Sequence, residues 1–130
     1  MKRVLLVEDD DAVAEVVGLI LHESGYVVDR VSNVADALVS VQSEAPAAVL
    51  LDLTLPETSG ITLLRACRAS ATLADLPIAL LSGTPIPVLE DDLVPDAILT
   101  KPFDIDRLCT VVDELTWGTR TTMPDAVPQI

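Results

Sequence analysis

The stretch LLDLTLP, Leu50 to Pro56, decides the fold. Just before it, Ala47-Ala48-Val49-Leu50-Leu51 reads as a buried strand, apolar without alternation, as expected for a strand covered on both faces. Asp52 then arrives at the strand end with leucines on either side. A buried, unpaired charge is expensive, so such an acid needs a partner, a metal ion or a water-filled rim to face. A strand end emerging into solvent and a reactive acid both fit this stretch taken alone. The rest of the chain separates them.

Outward from this strand, short apolar runs alternate with helical patterns, the signature of βα units around a parallel sheet. Val4 to Val7 forms a first strand. Val13, Val16, Val17, Ile20 and Leu21 recur at helical spacing, and Gly25 suits the residue that stops that helix. Tyr26 to Val31 is a second strand, and Ser32-Asn33 offers a cap to a helix whose inward face carries Ala35, Leu38 and Val39. A third helix follows Gly60, with Ile61, Leu64 and Cys67 inward. Pro77 introduces a fourth strand, Ile78 to Leu81, and Ala97 to Leu99 makes a fifth. Asp104 caps a last helix with the stripe Ile105, Leu108, Val111, Val112 and Leu115. Between strands four and five, Pro85, Pro87 and Pro95 bracket the crossover and leave only Val88 to Val94 for a helix, about 10 Å long at 1.5 Å per residue. A stunted crossover helix is the expectation. The chain from Gly118 onward, polar and twice interrupted by proline, reads as a mobile tail.

Ligands of an open parallel α/β sheet bind beyond the carboxyl ends of the strands. Strand one is followed by Glu8-Asp9-Asp10-Asp11, strand three by Asp52, strand four by Ser82-Gly83-Thr84, and strand five by Thr100-Lys101-Pro102. All the chemistry-bearing residues therefore share one rim. Carboxylates gathered there repel by about 4 kcal/mol per pair at 4 Å and an effective dielectric of 20. The cluster raises a pKa or recruits a cation. Oxygen ligands, few in number and completed by water, suit Mg²⁺ better than Ca²⁺. Acid, Mg²⁺, lysine and hydroxyl together make a constellation for phosphoryl transfer.

Composition narrows the classes further. The 130 residues fit one domain with an aliphatic core, since Phe, Tyr and Trp occur once each. Twenty-one acids against eight bases give a net charge of −13, which opposes binding to nucleic acid or an anionic membrane surface. The Val4–Val7 run is too short for a signal peptide, and no segment is long enough to cross a bilayer, so a cytoplasmic protein is expected. Cys67 and Cys109 lack metal-site spacing and read as reduced packing residues. Asp10 and Asp11 suit capping of the first helix, His22 a surface position near its end, and Glu90-Asp91-Asp92 a solvated face.

The segments VLLVEDD, VLLDLTLPETSG, ALLSG and TKPF, in this order and spacing, resemble the response-regulator receiver domain, the CheY-like phosphoacceptor module of two-component signalling. The resemblance runs from Lys2 to Trp117 and implies a three-layer α/β/α sandwich with a five-stranded parallel sheet in the order 2-1-3-4-5. It divides the chain into a receiver domain, 1–117, and a tail, 118–130. By the same resemblance, Asp52 is the phosphoacceptor, taking phosphorus from a phosphohistidine on a sensor histidine kinase or a histidine phosphotransfer protein. Asp9 and Asp52 bind Mg²⁺ directly, Thr54 through its backbone carbonyl, and Glu8 through water. Ser82 hydrogen-bonds the phosphoryl group, Lys101 pairs with it, Gly83 leaves the phosphorus accessible, and the Lys101-Pro102 bond is cis. Such a domain catalyses only its own phosphorylation and dephosphorylation, and its output is contact with another protein.

The chain departs from the family at several positions. Ser82 stands where Thr is commoner and keeps the hydroxyl, while Ser59 replaces a common Asp. Thr84 is poised either to tune access to the phosphoryl group or simply to turn the chain before Pro85. Ile98 stands where the family often has Tyr or Phe, whose ring turns inward on phosphorylation. Isoleucine cannot repeat that swing with a polar tip. With the interrupted crossover, it motivates a rival reading, a receiver-like module whose partners bind regardless of phosphate. A phosphatase of the haloacid-dehalogenase type needs a second acid two residues after the nucleophile, where this chain has Thr54.

Overall fold

A computed structural model describes residues 2–55, 59–83 and 93–117. The order of elements is β1 (Arg3–Val7), α1 (Asp11–Glu23), β2 (Val27–Val31), α2 (Val34–Ser43), β3 (Ala48–Asp52), α3 (Ile61–Ala69), β4 (Ile78–Ser82), β5 (Ala97–Thr100) and α4 (Ile105–Trp117). The strands form one parallel sheet in the order β2-β1-β3-β4-β5, as expected.

The side-chain period of two divides the aliphatic strands between two cores. Val4, Leu6, Leu50 and Leu81 face one side with Val17 and Leu21 of α1 and Leu108, Val111 and Leu115 of α4. Leu5, Val7, Leu51 and Leu80 face the other, with Ala37 and Val41 of α2 and Leu63, Leu64 and Cys67 of α3. That is the three-layer arrangement. Every residue of β3 and β4 is buried, whereas edge strand β2 has no fully buried residue and edge strand β5 alternates, which explains the unbroken apolar run before Asp52.

The caps follow the sequence. Asp10 caps α1, accepting from Ala12 and Val13 amides at 2.9 and 3.1 Å, and Asn33 caps α2 through the Asp36 amide at 2.8 Å. Asp104 accepts from the Arg107 amide at 2.6 Å. Gly25 follows α1 with a φ of 97°, the left-handed conformation that glycine adopts without steric penalty. Both cysteines are free, Cys67 buried and Cys109 half-buried.

Three inward faces differ from expectation. In α2 the buried face is Val34, Ala37 and Val41, with Leu38 partly buried; Ala35 is exposed and Val39 is 63 % exposed. The spacing i, i+3, i+4, i+7 from Val34 captures a full stripe, whereas Ala35 and Val39 lie on the next row round. Val16 in α1 and Ile105 in α4 are also exposed, at 55 and 59 %. The stripes are narrower than their apolar content suggests, because each helix touches the sheet along one line. Strand two begins at Val27; Tyr26 is buried just before it.

The expected crossover helix, 88–94, falls mostly outside the described residues, as do Thr84 and the tail 118–130. Its last two positions, Leu93 and Val94, are not helical. Pro95 accounts for this, since its ring disfavours helical geometry in the residue before it.

Candidate functional site

Parallel strands end together, so their carboxyl ends deliver side chains to one rim. Val7 pairs with Leu51, Asp52 with Leu81, and Ser82 with Thr100. Glu8 and Asp9 follow β1, Asp52 ends β3, Ser82 ends β4, and Lys101 follows β5. Glu8, Asp52 and Ser82 are 0, 2 and 1 % exposed, while Asp9 is exposed. Asp52 is therefore an acid carried to a polar rim by a buried strand.

Glu8, Asp9 and Asp52 each place a carboxylate oxygen within 4.8 Å of the others. At that separation two full charges repel by about 3 kcal/mol at an effective dielectric of 20. The protein offsets this with one cation and several donors. Lys101 Nζ lies 2.9 Å from Glu8 Oε1 and 3.5 Å from Asp52 Oδ2. Asp52 Oδ1 accepts from the Thr54 amide at 3.0 Å and from the Thr54 hydroxyl at 3.3 Å. Glu8 Oε2 accepts from the Asp10 amide at 3.2 Å. Burial pushes the Glu8 carboxyl above its usual value, Asp52 adds to the rise, and Lys101 and the Asp10 amide hold it back. Burial alone would lower the Lys101 ammonium, but its contacts with Glu8 and Asp52 outweigh burial and push it up. Asp9 has no hydrogen bond or ion pair among the described residues and directs its carboxylate at the cluster from the solvent side. Three carboxylates with one open edge fit a hard cation that takes oxygen ligands and retains water.

Strand ends alone do not disclose two other features. A Cβ at Gly60 would lie 2.5 Å from the Asp52 carbonyl oxygen and 3.2 Å from Leu51 Cγ, so the start of α3 packs directly on the backbone of the acid. The glycine stands in the quoted segment VLLDLTLPETSG, but its closeness to Asp52 is a tertiary fact. Arg30, on β2, donates through Nε to the Glu8 carbonyl at 2.9 Å and pairs with Asp11 at 2.9 Å. A Cβ at Gly83 would meet Lys101 Cβ at 3.7 Å, an ordinary contact, so packing against the described residues does not demand its small size. The Lys101-Pro102 bond is cis, as the resemblance implies. Ile98, on edge strand β5, is 40 % exposed. Among the described residues, no helix is long and apolar enough to cross a membrane.

The geometry agrees with the comparisons. The response regulator receiver domain family matches residues 4–113. The response regulator receiver protein CpdR of Brucella abortus is 34 % identical over 118 residues, covering 88 % of this chain and 97 % of that protein. The DNA-binding dual master transcriptional regulator RpaA of Synechocystis is 32 % identical over 135 residues, covering 99 % of this chain and 53 % of that protein. The chain thus spans about half the length of that relative. Among solved structures, the receiver domain of a Pseudomonas aeruginosa sensor histidine kinase, with magnesium coordinated in its active-site cleft, superposes with a TM-score of 0.80 at 27 % identity. That match covers 91 % of this chain and 98 % of the other. The chain belongs to the response regulator receiver domain family.

Proposed function

We propose that this chain is a working phosphoacceptor of a two-component system, phosphorylated on Asp52. The supporting observation is the buried Asp52 carboxylate, 3.5 Å from Lys101 and within 4.8 Å of Glu8 and Asp9. In this reading an Asp52 oxygen attacks the phosphorus of a phosphohistidine. The new P–O bond forms as the P–N bond breaks, and the histidine leaves as imidazole. Asp9, Asp52 and the Thr54 backbone carbonyl would hold Mg²⁺, with Glu8 contributing through water. When bound, the cation would supply positive charge against the transferring phosphoryl group. Lys101 and Ser82 receive the phosphoryl oxygens, and Gly83 leaves the line of attack open. Water attacking the same phosphorus later returns the free acid.

The donor is a sensor histidine kinase or a histidine phosphotransfer protein, and the output a contact with a downstream protein in the cytoplasm. The receiver unit is taken as 1–117, with 118–130 following it. The charge of −13 supports a protein rather than a nucleic-acid partner for this segment. The phosphate-independent alternative gains nothing from the site, which retains the acids, lysine and hydroxyl residue that phosphorylation requires. Beryllofluoride, a phosphoryl mimic, tests the reading by fluorine NMR. Bound resonances are expected only with Mg²⁺ present, and their absence would favour the phosphate-independent module.

A further inference from the structure

We propose that Arg30 is a positioning residue for the metal-binding acids, one that aims Asp9 without touching it. The inference rests on the reading of Glu8, Asp9 and Asp52 as a cation site and concerns how this chain presets it. Asp9 makes no hydrogen bond or ion pair among the described residues, yet its backbone is held on both sides. The peptide preceding its Cα carries the Glu8 carbonyl, which accepts from Arg30 Nε at 2.9 Å. The peptide following it carries the Asp10 amide, which donates to Glu8 Oε2 at 3.2 Å. With both planes fixed, the Cα–Cβ direction of Asp9 is fixed as well, because only φ and ψ join the two planes.

The two anchors differ in what cation binding does to them. Glu8 Oε2 belongs to a carboxylate inside the cluster, free to reorganise when a cation arrives. Arg30 binds a carbonyl outside the cluster, from the neighbouring strand, and its other branch is occupied by Asp11 at 2.9 Å. Its fork reaches both partners at once, which a lysine ammonium cannot reproduce. Asp11 is 91 % exposed, so that bridge is screened, and the Glu8 carbonyl bond carries the effect.

Electrostatics and positioning predict opposite outcomes here. Removing a positive charge beside a cation site would by itself strengthen cation binding. Weaker binding in a charge-removing variant therefore isolates the positional contribution. The test titrates Mg²⁺ calorimetrically into the full chain as wild type, Arg30→Met, Arg30→Lys and Asp11→Asn, and follows amide exchange at residues 9–11 in metal-free protein. Both Arg30 variants should bind Mg²⁺ about ten-fold more weakly, the scale of loss when a group that orients a metal ligand is removed. Exchange at 9–11 should quicken while β3 and β4 amides stay protected. Asp11→Asn should bind within about two-fold of wild type. Wild-type affinity in Arg30→Lys, or tighter binding in Arg30→Met, would overturn the inference. A wild-type chain that binds no Mg²⁺ would instead refute the cation-site reading, and metal-free exchange would still report whether Arg30 holds the loop.

Discussion

The Lys101 ammonium stands 2.9 Å from the Glu8 carboxylate, closer than the 3.5 Å that separates it from Asp52. Without a cation, the one lysine of the rim is engaged chiefly with an acid that is not the proposed phosphoacceptor. Phosphorylation of Asp52 adds about −1.5 to −2 charges beside it. Under the proposed function, that charge would draw the lysine from Glu8 toward the phosphoryl group, leaving a bound cation to compensate Glu8 and Asp9.

Lys101→Met removes the only side-chain cation within salt-bridge distance of Glu8 and Asp52 among the described residues. Breaking one side of a buried charge pair costs about 3 kcal/mol. Urea unfolding at neutral pH without Mg²⁺ should show that loss, and Mg²⁺ should recover part of it. Unchanged metal-free stability would mean that the Glu8–Lys101 contact carries little energy.

Gly60→Ala places a methyl group 2.5 Å from the Asp52 carbonyl oxygen, too close for any real contact. Relief requires α3 or the end of β3 to move. The expected cost is about 2 kcal/mol in stability, typical of overpacking. Because the displaced backbone carries Asp52, the rate of phosphorylation from acetyl phosphate should fall as well. A variant that loses stability but phosphorylates at the normal rate would show that α3 alone gives way.

Gly18 and Gly25 predict opposite signs. A Cβ at Gly18, inside α1, meets nothing within 4 Å, so Gly18→Ala should raise stability by about 0.5–1 kcal/mol through helix propensity. Gly25 has equal space but a φ of 97°, so Gly25→Ala should lower stability by about 1 kcal/mol. Denaturation midpoints of the two variants should fall on either side of the wild type.

The sheet and most of the site were legible because chemistry-bearing residues follow directly on apolar runs. Asp52 after Leu50-Leu51, Ser82 after Leu80-Leu81 and Lys101 after Leu99-Thr100 are one-dimensional signals: a strand, then its end. Helix faces were less legible. Periodicity displaces the α2 face by one residue, because alanine and valine occur all round that helix and leave the pattern weak. Arg30 and the closeness of Gly60 to Asp52 were not legible at all. Each depends on a neighbouring element's approach, which local spacing does not encode.

Tyr26, just before β2, links the amino end of that strand to α4. Its hydroxyl bonds the Asp113 carboxylate and lies 3.0 Å from the Thr116 hydroxyl. Burial, reinforced by Asp113, pushes its pKa up. The unfolded chain then ionises first, near the ordinary tyrosine value of about 10, while the folded state keeps its proton. The folded state thus binds more protons above that pH, and stability falls as pH rises through this window. Tyr26→Phe should cost about 1 kcal/mol near neutrality, the net worth of one hydrogen bond, since exposed Asp113 is left to water. Between about pH 9 and 11 the gap to wild type should narrow, as urea midpoints at several pH values would show. A constant gap would assign the whole effect to packing.

The most direct measurement of the central claim is intact mass after incubation with acetyl phosphate, with and without Mg²⁺, for the wild type and Asp52→Asn. The account predicts a single phosphoryl adduct of about 80 Da, dependent on Mg²⁺ and absent from Asp52→Asn. An adduct that persists in Asp52→Asn, or no adduct under any condition, would contradict it.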